Sequence, residues 1–345
     1  KLIDIIGLGA RTSVGWDAAS TAASVRAGLA RFGEYPSLTD NQGNPVAVAM
    51  APYLAPEIFG SDRFLALGIP AAAQAVSPLS NASSKDTSLD ILIGLPLERP
   101  GLPKELGDDV IKGFEKAFAG NRTVNSIDVF AKGHAAGLMA LQLGRQRILD
   151  GKTKACLIGG IDHYLTPETM TWLDKNEQLL TEANPWGFVP GEGAGFCLLT
   201  SSDLIERIKC PALGQVVSMA LAHEKNLIKT DTVCLGEGMT AAIREALQPF
   251  EEHKPLIDNI VCDLNGEPYR AEELGYALLK TGEYLKTPDD IKIPMDCWGD
   301  VGAAAGPLYV ILAIMAGQKG YAKGPYTLVL TGSESGERCV GVIRS

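Results

Sequence analysis

The chain alternates short β-branched apolar runs with stretches of helical periodicity along its whole length, which predicts an α/β protein built from βαβ units. In the first half, strands are predicted over Leu2–Leu8, Leu89–Leu95, Ser126–Ala131, Ala155–Gly160 and Gly195–Thr200. Helices are predicted between them at Gly15–Leu29, Lys104–Ala119 and His134–Asp150. The rhythm repeats with strands at Ala212–Ala222, Asn259–Leu264 and Ile291–Met295 and helices at Met239–Pro249, Ala271–Lys280 and Ala303–Ala316. Tyr326–Gly332 and Arg338–Ile343 then read as a closing hairpin. Rhythm alone, without sequence identity, suggests an internal duplication into halves spanning 1–200 and 211–345. The polar stretch SSDLIERIK marks the boundary, and no low-complexity linker separates the halves.

Composition narrows the picture. Of 345 residues, 46% are hydrophobic and 21% charged, as in an ordinary globular protein with ample core. A net charge of -10 without a basic cluster argues against nucleic-acid binding and against attraction to an anionic membrane. No apolar run approaches the roughly 18 residues a membrane span needs, and KLIDIIGLGA reads as a strand rather than a signal peptide. Seven scattered cysteines, odd in number and without CxxC, fit free thiols in a reducing cytoplasm.

Four glycine-rich stretches carry the chemical information. In FAKGHAAGLMAL, a small-residue turn places His134 at the mouth of an apolar helix. NPWGFVPGEGAGFCLL predicts a close backbone approach before a buried strand; with no GxxxxGK[ST] and no following helix it is not a phosphate loop. CDLNGEPYRAEE places Asn265-Gly266 in a turn, with Tyr269 and Arg270 read as a solvated rim beyond it. CWGDVGAAAG leads into a helix, and Asp300 is positioned to accept from free N–H groups at its start.

GFVPGEGAGFCLL resembles the GF-V-x-GEGAG segment of the β-ketoacyl synthases, the condensing enzymes of fatty acid and polyketide synthesis. KLIDIIGLGARTSVGWDAASTAASVRAGLARF is similar to that family's opening, ACLIGGID to the strand after its nucleophile helix, and GDVGAAAG to its GH-x-x-GAAG motif. DLNGEP falls where the family has an AHGT-type motif. The resemblance implies a thiolase-like fold, two pseudo-duplicated βαβαβαββ halves packed as layers of helices and sheets. By the family's spacing, His134 takes the place of the catalytic cysteine, and Asn265 and Asp300 those of its two histidines. Of the chain's four histidines, His163, His223 and His253 lie outside these motifs.

These replacements oppose condensation. An acyl-imidazole hydrolyses too readily to await a second substrate, and Asp300 would set a negative charge where an enolate must be stabilised. The family's aromatic, glycine-rich C-terminal loop is replaced by GSESGERC. The resemblance therefore implies a non-condensing homologue: a chain-length-factor-like subunit, scaffold or adaptor, homodimeric or paired with a ketosynthase-like protein, with acyl carrier protein or acyl-CoA as further partners. The alternative is an altered acyl-thioester hydrolase or decarboxylase using His134 and Asp300. Lys132, Trp298 and Ser333 are candidate pocket residues, with Trp298 equally a core aromatic. No cofactor is expected; a zinc site from His134, Asp300, Cys297 and Cys262 is the least favoured reading.

Overall fold

Strands buried on both faces need cover on both sides, and the chain supplies it in layers. The computed structural model describes residues 2–80, 88–119, 124–227, 229–254 and 256–345. Its strands are β1 (Ile3–Thr12), β2 (Gly33–Thr39), β3 (Pro45–Val48), β4 (Leu89–Leu95), β5 (Val124–Ala131) and β6 (Ala155–His163). They continue with β7 (Glu192–Thr200), β8 (Gly214–His223), β9 (Asn259–Cys262), β10 (Ile291–Lys292), β11 (Tyr326–Gly332) and β12 (Glu337–Arg344). Helices are α1 (Ala18–Arg26), α2 (Gly60–Val76), α3 (Leu106–Phe118), α4 (Ala136–Leu149) and α5 (Pro167–Lys175). The remainder are α6 (Ser202–Ile208), α7 (Glu237–Leu247), α8 (Pro268–Thr281), α9 (Met295–Trp298) and α10 (Ala305–Gln318).

The sheet order displays the duplication that rhythm suggested. The first half runs β5-β4-β6-β7-β1 and the second β10-β9-β11-β12-β8, the same order once the β2–β3 hairpin is set aside. The pairing senses match too: β4 is parallel to β5 and β6, while β7 is antiparallel to β6 and β1. In the second half β9 is parallel to β10 and β11, while β12 is antiparallel to β11 and β8. A short antiparallel seam, Ile3 opposite Val216 through Ile5 opposite Gly214, joins the two.

Between the sheets lie α4 and α10. Helix α10 has no charged residue and is buried all round, as a central helix must be. It packs on α4 and on strands of both halves. Small residues on α4 (Ala136, Gly137, Ala140, Gly144) sit buried in this middle layer. Helices α2 and α3 cover the first half's outer face, and α7 and α8 the second's. Among the described residues no helix is long and apolar enough to cross a membrane, and all seven cysteines are free.

Elements α2, α5, α6, β2 and β3 lie outside the predicted set, and two predicted features depart from expectation. The predicted strand Ile291–Met295 stops at Lys292, because Pro294 cannot donate to a ladder and Met295–Trp298 coil into α9. The glycine-rich GEGAG stretch is itself strand, since β7 begins at Glu192 rather than Gly195.

Candidate functional site

Three loops converge where the central helices begin. A tight 3-10 turn, Gly133–Ala135, follows β5 and presents His134 at the start of α4. The loop after α9 brings Asp300, and its approach depends on Gly299, which takes φ 72 and whose Cβ would lie 2.7 Å from the Val189 carbonyl. The turn after β9 brings Asn265, whose side-chain oxygen accepts from the Glu267 N–H at 3.1 Å.

These side chains form one hydrogen-bonded set. His134 Nε2 lies 2.8 and 3.0 Å from the two carboxylate oxygens of Asp300. Asn265 Nδ2 donates to Asp300 Oδ2 at 2.8 Å, and the Gly302 N–H donates to Oδ1 at 2.8 Å. His134 is 7% exposed and Asp300 1%. Burial alone would lower the imidazole's pKa, but the charge and hydrogen bond of Asp300 prevail and hold it above its usual 6.5. Asp300 is held well below the ordinary carboxylate range; burial opposes this, and His134, Arg270 and Asn265 overcome it. His134 and Asp300 thus form a buried, hydrogen-bonded histidine–carboxylate pair.

Arg270 corrects the sequence reading of a solvated rim, since it is only 5% exposed. Its Nη1 donates to Asp263 Oδ2 and to the Gly332 carbonyl, each at 2.9 Å, and its Nη2 stands 3.4 Å from His134 Nδ1. Tyr269 donates to Glu267 Oε2 at 2.9 Å. A second buried pair lies nearby, Arg99 Nη2 to Asp162 Oδ1 at 2.6 Å, with Asp162 Oδ2 accepting from the Ala303 N–H at the start of the α10 turn. Neither arginine was picked out from sequence as a site residue. Burial of a charged side chain depends on partners brought from distant segments, and for Arg270 only its position just after the DLNGEP turn was a signal.

The three other candidates lie apart. Lys132 is half exposed and pairs with Glu337 at 2.9 Å. Trp298 is wholly buried in the core around α10, and its Nε1–H has no partner among the described residues. Ser333 caps the turn that bears His134: its Oγ accepts from the Ala135 N–H at 2.9 Å and donates to the Lys132 carbonyl. None of these three lines the cavity of about 110 Å³ on which His134 opens, where Leu97, Arg99, Tyr164, Trp172 and Phe188 form much of the wall. Among the described residues His134 and Asp300 do not gather with Cys262 or Cys297 into a compact donor cluster.

A further buried cluster supports β6 and β7. Glu192 takes Arg63 Nε and Nη2 at 2.8 and 2.6 Å, His163 Nδ1 at 2.9 Å and the Ala51 N–H at 2.7 Å. Against the burial cost, these partners hold its carboxyl down to about 2.

Comparison with known proteins agrees with this architecture. The model of the β-ketoacyl synthase N-terminal domain matches residues 133–203, which include His134 and the GEGAG strand. The fatty acid synthase subunit alpha of Lachancea kluyveri is 25% identical over 141 residues, a stretch that is 36% of this chain and 7% of that longer protein. Among solved structures, AntDE:AntF, a type II polyketide synthase acyl-carrier protein in complex with its ketosynthase, superposes with TM-score 0.83 at 17% identity over 99% of both chains. The module 6 ketosynthase of the bacillaene synthase from Bacillus subtilis gives 0.79 at 15%, over all of this chain and 72% of that one. The ishigamide ketosynthase/chain length factor gives 0.73 at 18%, over 100% and 99%. The chain shares the thiolase-like fold of these ketosynthases.

Proposed function

We propose that this protein is a non-condensing ketosynthase homologue that works by binding, as a chain-length-factor-like partner, scaffold or adaptor in a reducing, cytoplasmic setting. The observation that carries the reading is the closed His134–Asp300–Asn265 set, at the positions where the resemblance puts a nucleophile and its two assistants. The Nε2 of His134 is engaged by Asp300 rather than free to attack a thioester, and Asp300 repels an enolate. The Ala135 N–H at the helix mouth, which would otherwise be available to an oxyanion, is taken by Ser333. Its partners in this reading are a second copy or a ketosynthase-like protein, with acyl carrier protein or acyl-CoA as further ligands.

The test is intact-protein mass spectrometry after incubation with acyl-CoA and malonyl-CoA, with product analysis of the same samples. The expected result is no adduct, no free CoA and no decarboxylated product above background. Free CoA that disappears in His134→Ala would instead establish an altered hydrolase or decarboxylase, the reading favoured by His134 opening on its cavity.

A further inference from the structure

On the far side of the Asp300 loop lies a larger cavity, of about 370 Å³, between α1, α10 and the β9–β10 edge. Its walls are apolar: Val25 from α1, Leu312, Ala313 and Ala316 from α10, Val261 from β9, and Ile293. That volume is within the range of small-molecule sites, which pair an apolar lining with a few placed polar groups. His134 lines the smaller cavity and has no part in this one.

The polar groups are unevenly charged. Lys292 stands half-buried in the wall and makes no hydrogen bond or ion pair among the described residues, only a distant approach of its Nζ to the Tyr321 ring at 5.9 Å. Burial pulls its ammonium below the usual lysine range, with no neighbouring carboxylate offsetting that cost. Arg26 stacks over the Tyr321 ring at 4.2 Å from its centroid, which sets an exposed guanidinium at the mouth. One carboxylate, Asp296, also lines the cavity, but it is exposed. Of the neutral polar wall residues, Asn259 and Thr327, Asn259 is satisfied: it donates to the Gly324 carbonyl and accepts from the Lys323 N–H.

A half-buried cation without a counter-charge, at the wall of an apolar cavity, is satisfied by an anion attached to an apolar body. We propose that this cavity binds a linear aliphatic carboxylate, its chain along α10 and its head group on Lys292 with Arg26 at the mouth. The groove has room to continue: a second cavity of about 380 Å³ shares Ala22, Arg26 and Tyr321 with the first and runs toward Met315. The site needs no chemistry at His134 and stands independently of it. Its wall residues Lys292 to Pro294 do lead directly into α9 and Asp300, so occupancy there would stiffen the segment that carries the carboxylate.

Calorimetric titration with octanoate and with 1-octanol tests the site. Octanoate is expected to bind saturably at one site and at least about ten-fold more tightly than octanol. Lys292→Met should remove that preference, weakening octanoate while leaving octanol unchanged, and Val25→Trp should weaken both by filling the cavity. Each variant's melting curve is recorded, and Val25→Trp, at a half-buried rim position, carries the test if Lys292→Met does not fold. Absence of saturable octanoate binding to the wild-type protein up to millimolar concentration overturns the proposal. So does undiminished binding to the folded variants, or binding abolished by Leu97→Trp in the His134 cavity and by neither of them.

Discussion

At the scale of single residues, the His134–Asp300 pair sets a pH signature. His134 titrates above its ordinary 6.5, so its contribution is complete below that pH and is lost as pH rises through the folded-state value. Asp300 titrates below its ordinary 3.8, so its contribution is present above that pH and is lost as pH falls through the folded-state value. The pair therefore stabilises most between those two ordinary values. His134→Ala leaves a buried carboxylate short of its partner, a loss of about 3–5 kcal/mol for buried pairs, at the low end here because Arg270 remains. Urea unfolding of both proteins across pH should show the largest gap between those two ordinary values, narrowing as pH rises through the folded-state value of His134. A gap that widens with pH would mean that folding favours the neutral form of His134, contrary to a raised folded-state value. That His134, Asn265 and Asp300 belong together was readable from motif order, because each sits at the end of a core element. Arg99 and Arg270 were not, since a buried arginine is recognised by its partners, and Arg99 finds Asp162 across 63 positions of sequence.

Elements hold that geometry through close backbone contacts. A Cβ on Gly160 of β6 would lie 2.0 Å from the Ala303 carbonyl oxygen, in the turn that starts α10. Neither backbone can give way cheaply, so Gly160→Ala should cost at least the upper end of the roughly 1–3 kcal/mol typical of overpacking. The turn would move with Asp300 and Gly302 on it, so the His134 imidazole resonances should shift as well as the melting temperature. Gly275→Ala on α8 is the control: nothing lies within 4 Å of that Cβ, and the change should stabilise by up to about 1 kcal/mol. If the two variants melt alike, close approach at β6 is not what positions the site. The same contrast between local pattern and packing decides what could be read in advance. Strands β4 and β11 were predicted with their observed bounds, because short, mostly apolar runs flanked by proline and serine allow little else. Helix α2 was missed, because Pro70 interrupts its pattern and buried residues spread around much of its circumference; packing against β1, β6 and β7 holds it helical despite the lost donor. The β2–β3 hairpin was missed too, as Pro36 and Pro45 mask any alternation.

At the scale of the whole molecule, β5 is the exposed end of the sheet. It pairs with β4 on one side and with no strand on the other among the described residues. Eight residues of open edge are a ready template for another strand, and solitary proteins usually blunt such an edge. Here Ile127, Val129 and Phe130 stay half-buried rather than covered. Asp128, the charge among them, is already engaged by Arg147 at 2.9 Å. Antiparallel pairing of two β5 strands about a twofold axis would satisfy both edges at once and continue one sheet through two chains. Light scattering should then give twice the 36.5 kDa chain mass. Val129→Lys, which sets a charge into that edge, should return the monomer with an unchanged circular dichroism spectrum. A wild-type monomer that dimerises only when mixed with a ketosynthase would assign the same edge to a heterodimer. A wild-type dimer untouched by Val129→Lys would move the interface elsewhere and leave β5 without a role in assembly. The turn bearing His134 follows β5 directly, so a chain on this edge would stand one turn of backbone from the His134–Asp300 pair.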